Sequence, residues 1–243
     1  MALLQDLRIL YHLALRPVRG KNHAERMESF YAGQADAYDD FRKRLLHGRE
    51  QLFQAIEFPV DGVWIDMGGG TGSNLEYIGD RVAQLKSAYV VDLASSLLKV
   101  AQERFEKNGW THVHAVEADA TKWQPPNDQA DVVTFSYSLT MIPDWFLAIE
   151  NAIRMLKPGG LLGVVDFYVS RKHAGEITKQ HPWSTRTFWP VWFANDNVFP
   201  SSEHLPFLKS HLETVWAAEQ RSKVPYLPLI RTPYYQFVGR KPY

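Results

Sequence analysis

Between Val63 and Tyr168 the chain alternates short apolar runs with stretches whose apolar residues recur every three or four positions. The runs are VWIDM (63–67), AYVVDL (88–93), HVHAVEAD (112–119), DVVTFSYS (131–138) and LLGVVDFY (161–168). Runs this short and continuous predict strands covered on both faces. The intervening spacing predicts helices from about Ser73 to Leu85, from Ser95 as N-cap to Lys107, and from Asp144 to Leu156. Asp61-Gly62, Asn108-Gly109 and Lys157-Pro158-Gly159-Gly160 punctuate them. Strands alternating with helices make βαβ units and a parallel sheet. Residues 24–57 read as helices, with Tyr31, Tyr38, Phe41, Leu45 and Leu46 facing inward. Residues 170–210 break the alternation and are rich in aromatics, among them Trp183, Phe188, Trp189, Trp192, Phe193, Phe199 and Phe207. Two last strands are expected near 212–221 and 234–240, making seven with the five before them.

The chain thus divides into an N-terminal helical segment, residues 1–60, and an α/β domain over 61–243. At the start of the chain Leu3, Leu4, Leu7, Leu10, Leu13 and Ala14 recur at helical spacing among Arg8, Arg16, Arg19 and Lys21. That pattern fits a helix lying in a membrane interface, and equally one packed on the domain. Asp6 and Arg8 interrupt the apolar run and no small-residue cleavage site follows, which argues against a signal peptide. No stretch is apolar enough for a transmembrane helix.

The 243 residues, 45% of them apolar, suffice for one well-buried domain. Lys+Arg and Asp+Glu balance at 27 each, so nothing favours a nucleic-acid partner. Cysteine is absent, which removes disulfides and thiolate metal sites and fits a reducing, cytoplasmic setting. The nine histidines show no ligand spacing, and no metal is expected.

The chemistry concentrates at DMGGGTGSN, residues 66–74, directly after the first strand. Glycines alternating at 68, 70 and 72 let a ligand approach the backbone. A phosphate loop needs Lys-Ser or Lys-Thr after its last glycine, and Gly72 is followed by Ser73-Asn74. A dinucleotide fingerprint places its third small residue at Ser73, which weakens that reading without excluding it. S-adenosylmethionine is the alternative, with Asp66 facing its ammonium directly or through water. Asp92, followed by Leu93, ends the second strand, where a carboxylate can accept from both ribose hydroxyls. Asp119-Ala120 ends the third strand and Ser136-Tyr137 the fourth.

An acid before alternating glycines, with acids at the next two strand ends, resembles the class I methyltransferases. The resemblance implies a Rossmann-like α/β sheet of seven strands carrying the N-terminal helical segment and the aromatic-rich insertion. It implies cofactor contacts from Asp66, Gly68, Gly70, Asp92, Leu93, Asp119, Ala120 and Ser136. The fourth strand lacks the Asn/Asp-Pro-Pro-Tyr of base and glutamine methylators, which points to a small molecule or lipid.

A second resemblance covers nearly the whole chain. HLALRPVRG, FYAGQADAYDDFRKRLLHGR, SYSLTMIPDW and the aromatic segment 183–199 resemble the methyltransferases of bacterial betaine lipid synthesis. These enzymes methylate diacylglycerylhomoserine three times to give diacylglyceryl-trimethylhomoserine. The resemblance implies a lipid substrate at a membrane surface, a partner enzyme that supplies it, and a peripheral place at the inner membrane. Aromatic faces suit an amine that becomes a permanent cation. Tyr38 and Tyr137 are the candidates beside the methyl-transfer centre, with Tyr31 and Trp183 around the substrate. The homoserine carboxylate calls for a guanidinium, from Arg42, Arg44, Arg49 or Arg186. His47 is a further substrate or base candidate. Other readings stay open: methylation of phosphatidylethanolamine or a soluble amine, a cofactor-binding protein without turnover, or a nicotinamide oxidoreductase.

Overall fold

The computed structural model describes residues 23–31, 45–126, 129–173, 179–194, 197–224 and 227–243. Its seven strands form one sheet: β1 (Val63–Met67), β2 (Ser87–Asp92), β3 (Val113–Glu117), β4 (Ala130–Ser136), β5 (Leu156–Phe167), β6 (Glu213–Val224) and β7 (Leu227–Arg240). Their order is β3-β2-β1-β4-β5-β7-β6. The first five run parallel, and β7 is antiparallel to both β5 and β6. The chain moves outward from β1 to β3 and returns to lay β4 on the other side of β1. That reversal opens a crevice beyond the carboxyl ends of β1 and β4, where open α/β sheets bind ligands.

Both faces of the sheet are covered, so the central strands are mostly apolar, and every residue of β1 is buried. The described helices are α1 (His23–Tyr31), α2 (Arg49–Ala55), α3 (Ser95–Asn108), α4 (Trp145–Met155), α5 (Trp183–Ala194) and α6 (His204–His211). One core joins Leu52 and Phe53 of α2, Leu98 and Phe105 of α3, and Trp189 and Phe193 of α5. The other joins Ala148, Ile149 and Met155 of α4 to Leu205 and Leu208 of α6.

Three local expectations change. The single helix expected from Ser73 to Leu85 is two 3₁₀ turns, Ser73–Tyr77 and Gly79–Gln84. Gly79, at φ +55°, breaks the run between them. Ser95 is the first helical residue of α3 rather than its cap; Ala94 holds the cap position and has no side chain to offer. Lys157 to Gly160 form an irregularity within β5, whose pairing with β4 jumps from Ala130↔Leu156 to Val132↔Leu161. Tyr38 and Phe41 lie outside the described residues.

Candidate active site

The turn after β1 is built from beneath. Asp66 is fully buried at the strand's end. Its Oδ1 accepts from the Thr134 hydroxyl at 2.7 Å, and that hydroxyl accepts from Trp64 Nε1 at 2.9 Å. Its Oδ2 accepts from Asn74 Nδ2 at 2.8 Å. Arg49, itself buried, donates to Asn74 Oδ1 at 3.4 Å and lies 5.8 Å from the Tyr77 ring centre. Burial pushes the Asp66 carboxyl up to about 6, against the pull of Thr134, Asn74 and Arg49. Asp66 therefore ties the glycine turn to β4 and to the 3₁₀ turn. It is not among the residues that line the cleft, so the expected contact with a ligand's ammonium is corrected to a positioning role.

Above this network Gly68 and Gly70 adopt left-handed φ of +66° and +56°. A Cβ on Gly68 would sit 2.4 Å from Ser138 Cβ, so glycine is needed for the turn to close on the β4 loop. A Cβ on Gly70 would meet Leu97 Cδ1 at 3.4 Å and Asp92 Oδ2 at 3.9 Å, both ordinary contacts. The glycine there leaves backbone bare toward a ligand.

The space in and at the open mouth of the cleft comes to about 620 Å³. Gly68, Gly70, Asp92, Leu93, Asp119, Ala120 and Tyr137 all line it, which brings together most of the residues expected at the cofactor. Asp92 Oδ2 accepts from Gly70 N and its Oδ1 from Ala94 N, each at 2.9 Å. Those two amides aim the carboxylate at the edge of the cleft. Asp119 Oδ1 accepts from the Thr121 amide at 2.9 Å and the Thr121 hydroxyl at 2.7 Å. Val91, Leu97, Ala118, Met141 and Ile142 supply apolar walls that suit a flat base between acids. Met27 of α1 closes one side. Its neighbour Glu28 accepts from Ser96 N at 3.1 Å and the Ser95 hydroxyl at 3.3 Å, giving α3 the cap its own sequence lacks.

At the β4 end the backbone turns sharply. Tyr137 has φ +57°, and its amide donates to Val165 O. Its hydroxyl donates to the His47 carbonyl at 2.5 Å, and its ring packs 4.7 Å from that of Phe167. Burial, with Asp166 nearby, pushes the hydroxyl well above its usual value, so the phenol stays neutral. Asp166 holds the next turn: Oδ1 accepts from the Thr140 hydroxyl at 2.8 Å and Oδ2 from its amide at 3.1 Å. Burial lifts that carboxyl to about 7.

Several expected residues are placed elsewhere. Ser136 is buried with an unpartnered hydroxyl and does not line the cleft; Ser138 does, its hydroxyl donating to Met67 O at 2.8 Å. Arg49 lies under the turn, too enclosed to meet a substrate carboxylate. His47 contributes its carbonyl rather than its ring to the contact with Tyr137. Trp183 is 74% exposed on the outer surface and does not line the cleft. Tyr38 and Arg44, and the side chain of Tyr31, lie outside the described residues. Met27, Ser138, Met141, Ile142 and the supporting Asp166 were not anticipated. Only Asp166 left a mark in the sequence, as a lone charge inside the apolar run LLGVVDFY.

A seven-stranded sheet with a bare glycine turn, an acid for a diol and an acid beside an apolar slot defines a class I methyltransferase domain. Residues 34–218 match the family described as methyltransferase domain, and the chain belongs to that family. Over 162 residues, 64% of this chain and 63% of the relative, it is 29% identical to the ubiquinone/menaquinone biosynthesis C-methyltransferase UbiE of Ectopseudomonas mendocina. The match thus spans less than two thirds of that relative's length. Haemonchus contortus phosphoethanolamine N-methyltransferase 2, solved with S-adenosyl-L-methionine, shares the fold with a TM-score of 0.68 at 14% identity, over 93% of this chain and 61% of that one. The N-methyltransferase NodS of Bradyrhizobium japonicum WM9, solved with S-adenosyl-L-homocysteine, gives a TM-score of 0.57 at 15% identity, over 86% and 100%. Residues 34–218 thus make a methyltransferase domain, and S-adenosylmethionine is the cofactor that its cleft suits. Asp92, the Gly70 backbone and the Asp119–Ala120 slot fit that cofactor's ribose, amino-acid portion and adenine.

Proposed function

We propose that this enzyme methylates the amine of diacylglycerylhomoserine, in three rounds, to diacylglyceryl-trimethylhomoserine. The bound cofactor supplies a methyl group on a cationic sulfur. The chain must hold a neutral amine in line with it and exclude water. The observation that carries the reading is the character of the acceptor end of the cleft. Tyr137 forms it, kept neutral by burial, with Phe167 and Phe193 stacked behind at 4.6 Å between rings. The carboxylates that line the cleft, Asp92 and Asp119, follow β2 and β3 at its far end. An uncharged aromatic wall favours an amine that arrives neutral and leaves as a cation. The similarity of residues 30–49 and 183–199 to betaine lipid enzymes selects the head group. On this reading the lipid is taken from the cytoplasmic membrane surface and supplied by the enzyme that makes diacylglycerylhomoserine.

A second reading, C-methylation of a quinone precursor, has the UbiE relative in its favour. Lipid mass spectrometry with labelled S-adenosylmethionine separates the two. Diacylglycerylhomoserine, phosphatidylethanolamine and a demethylated quinol are offered together. Three methyls on the first support the proposal; label on the second or third alone overturns it.

A further inference from the structure

The cleft does not account for a second region at the same edge of the sheet. Helix α5 is apolar on two sides. Trp189 and Phe193 are buried in the core. Phe188, Val191 and Trp192, spaced by three and four, form a separate outward stripe, with Val191 70% exposed. Trp183, at the helix start, is exposed on the other side of Val191 from Trp192.

The β6–β7 hairpin lies alongside. Arg221, Ile230 and Arg231 share a groove with Ser184, Thr185 and Phe188. Pairing of β5 with β7 ends at Phe167↔Tyr234, whereas β6 and β7 stay paired through Lys223↔Arg231. The hairpin therefore projects past the edge on which the cleft opens. Ile230, beside the described end of the hairpin, is exposed. Arg221, Lys223 and Arg231 lie near it, and among the described residues none of them forms an ion pair. Arg186 adds a buried Nε with no partner. Beyond α5 the Phe199 amide donates to Thr140 O at 2.8 Å, next in sequence to Met141 of the cleft lining.

We infer that the outward stripe of α5 and the β6–β7 hairpin form a docking face for an anionic phospholipid bilayer. Tryptophans suit the headgroup level, and the apolar side chains enter just below it. Arg221, Lys223 and Arg231 meet lipid phosphates. A second copy is a poorer occupant, because a twofold contact would set these unpaired cations against their own equivalents. Docking in this way brings the mouth of the cleft to the membrane. In naming a bilayer the inference rests on the reading of a lipid-borne acceptor, but it does not depend on which lipid.

The test is flotation of the full chain with phosphatidylcholine vesicles and with phosphatidylcholine–phosphatidylglycerol vesicles. The wild type is expected to bind the anionic vesicles, less so as salt rises. Arg221→Gln with Arg231→Gln should lose about thirtyfold in vesicle affinity. Trp183→Ser with Trp192→Ser should lose binding and the fluorescence blue shift that accompanies it. Both double variants should keep wild-type affinity for S-adenosylhomocysteine, which shows they are folded. Wild-type vesicle affinity in both variants overturns the docking face. So does a dimer that the tryptophan variant dissolves while the wild type ignores vesicles. Transfer to detergent-dispersed lipid is measured separately. Vesicle binding without transfer defeats the proposed substrate and leaves the face; transfer without vesicle binding does the reverse.

Discussion

Alanine at Gly68 and alanine at Gly70 add the same methyl group two residues apart, yet the structure gives them different consequences. Both glycines are left-handed, and an L-residue there costs about 1–2 kcal/mol. At Gly68 the new carbon falls 2.4 Å from Ser138 Cβ, so Ser138 must move. Its hydroxyl then leaves the Met67 carbonyl, now 2.8 Å away, and a buried acceptor without a donor costs a further ~1–3 kcal/mol. Gly68→Ala should therefore destabilise the unliganded protein by about 2–5 kcal/mol. At Gly70 the nearest atom is Leu97 Cδ1 at 3.4 Å, an ordinary contact. Only the backbone term of ~1–2 kcal/mol applies, but the methyl projects where a ligand would touch the chain. Gly70→Ala should lose about tenfold or more in cofactor affinity, on the order of 1.4 kcal/mol. Urea denaturation of the unliganded variants gives the first quantity and calorimetric titration with S-adenosylhomocysteine the second. Undiminished affinity in Gly70→Ala would refute the placement of the ligand against that backbone.

Asp92→Ala removes the acceptor for ribose and frees two amides, so cofactor affinity should drop by ~1.5–3 kcal/mol in the same titration; wild-type affinity would remove Asp92 from the site. Tyr137→Phe leaves the His47 carbonyl without its donor and should cost about 1–3 kcal/mol of stability. Because burial already keeps that phenol protonated, the pH–rate profile should keep its shape, and a shifted profile would assign Tyr137 a proton-transfer role. Asp66 takes a proton near pH 6 in the folded chain and near its ordinary 3.8 when unfolded. The folded state thus binds more protons between these values, and this group adds stability as pH falls from 7 toward 4. Asp66→Asn lacks that gain, so denaturation curves of the two proteins should diverge by on the order of 3 kcal/mol across the window. Parallel pH dependences would contradict the burial argument.

Strand β1 coincides with its expected span because a strand covered on both faces leaves a short run that is apolar except for Asp66. Helix α3 ends one residue from its expected stop because Gly109 takes the left-handed cap at φ +67°. The place of Asp92 and Asp119 in the cleft lining was legible because consecutive parallel strands must end at one edge. The direction of a strand-end carboxylate was not. Asp66 turns down because Thr134 and Asn74 offer donors there, 68 and 8 residues away in sequence. Period-two alternation puts Ser136 and Ser138 on one face, but Tyr137 at φ +57° bends the chain between them and only Ser138 reaches the cleft. Arg49 carried a charge that spacing alone would leave at the surface. It is buried because α2 packs under the glycine turn, a tertiary contact with no local trace.

The placement of charge fits a reaction that needs position more than acid–base chemistry. Asp66, Arg49 and Asp166 are all buried, and each is spent on backbone or side chains that shape the site rather than on the cleft itself. Their fields fall on a region walled by a neutral phenol with stacked rings behind it, where the proposed amine would sit. A sulfonium donor and a neutral amine gain nothing from a nearby carboxylate that would hold the amine protonated. They gain from a fixed line of approach and from exclusion of water. Helix α1 serves that end directly. Met27 walls the cleft while Glu28 grips the first turn of α3, where the Ala94 amide also aims Asp92. Seating α1 and setting the Asp92 carboxylate therefore engage the same turn at the start of α3. A cofactor that engages Asp92 stabilises the same arrangement that closes the cleft over it.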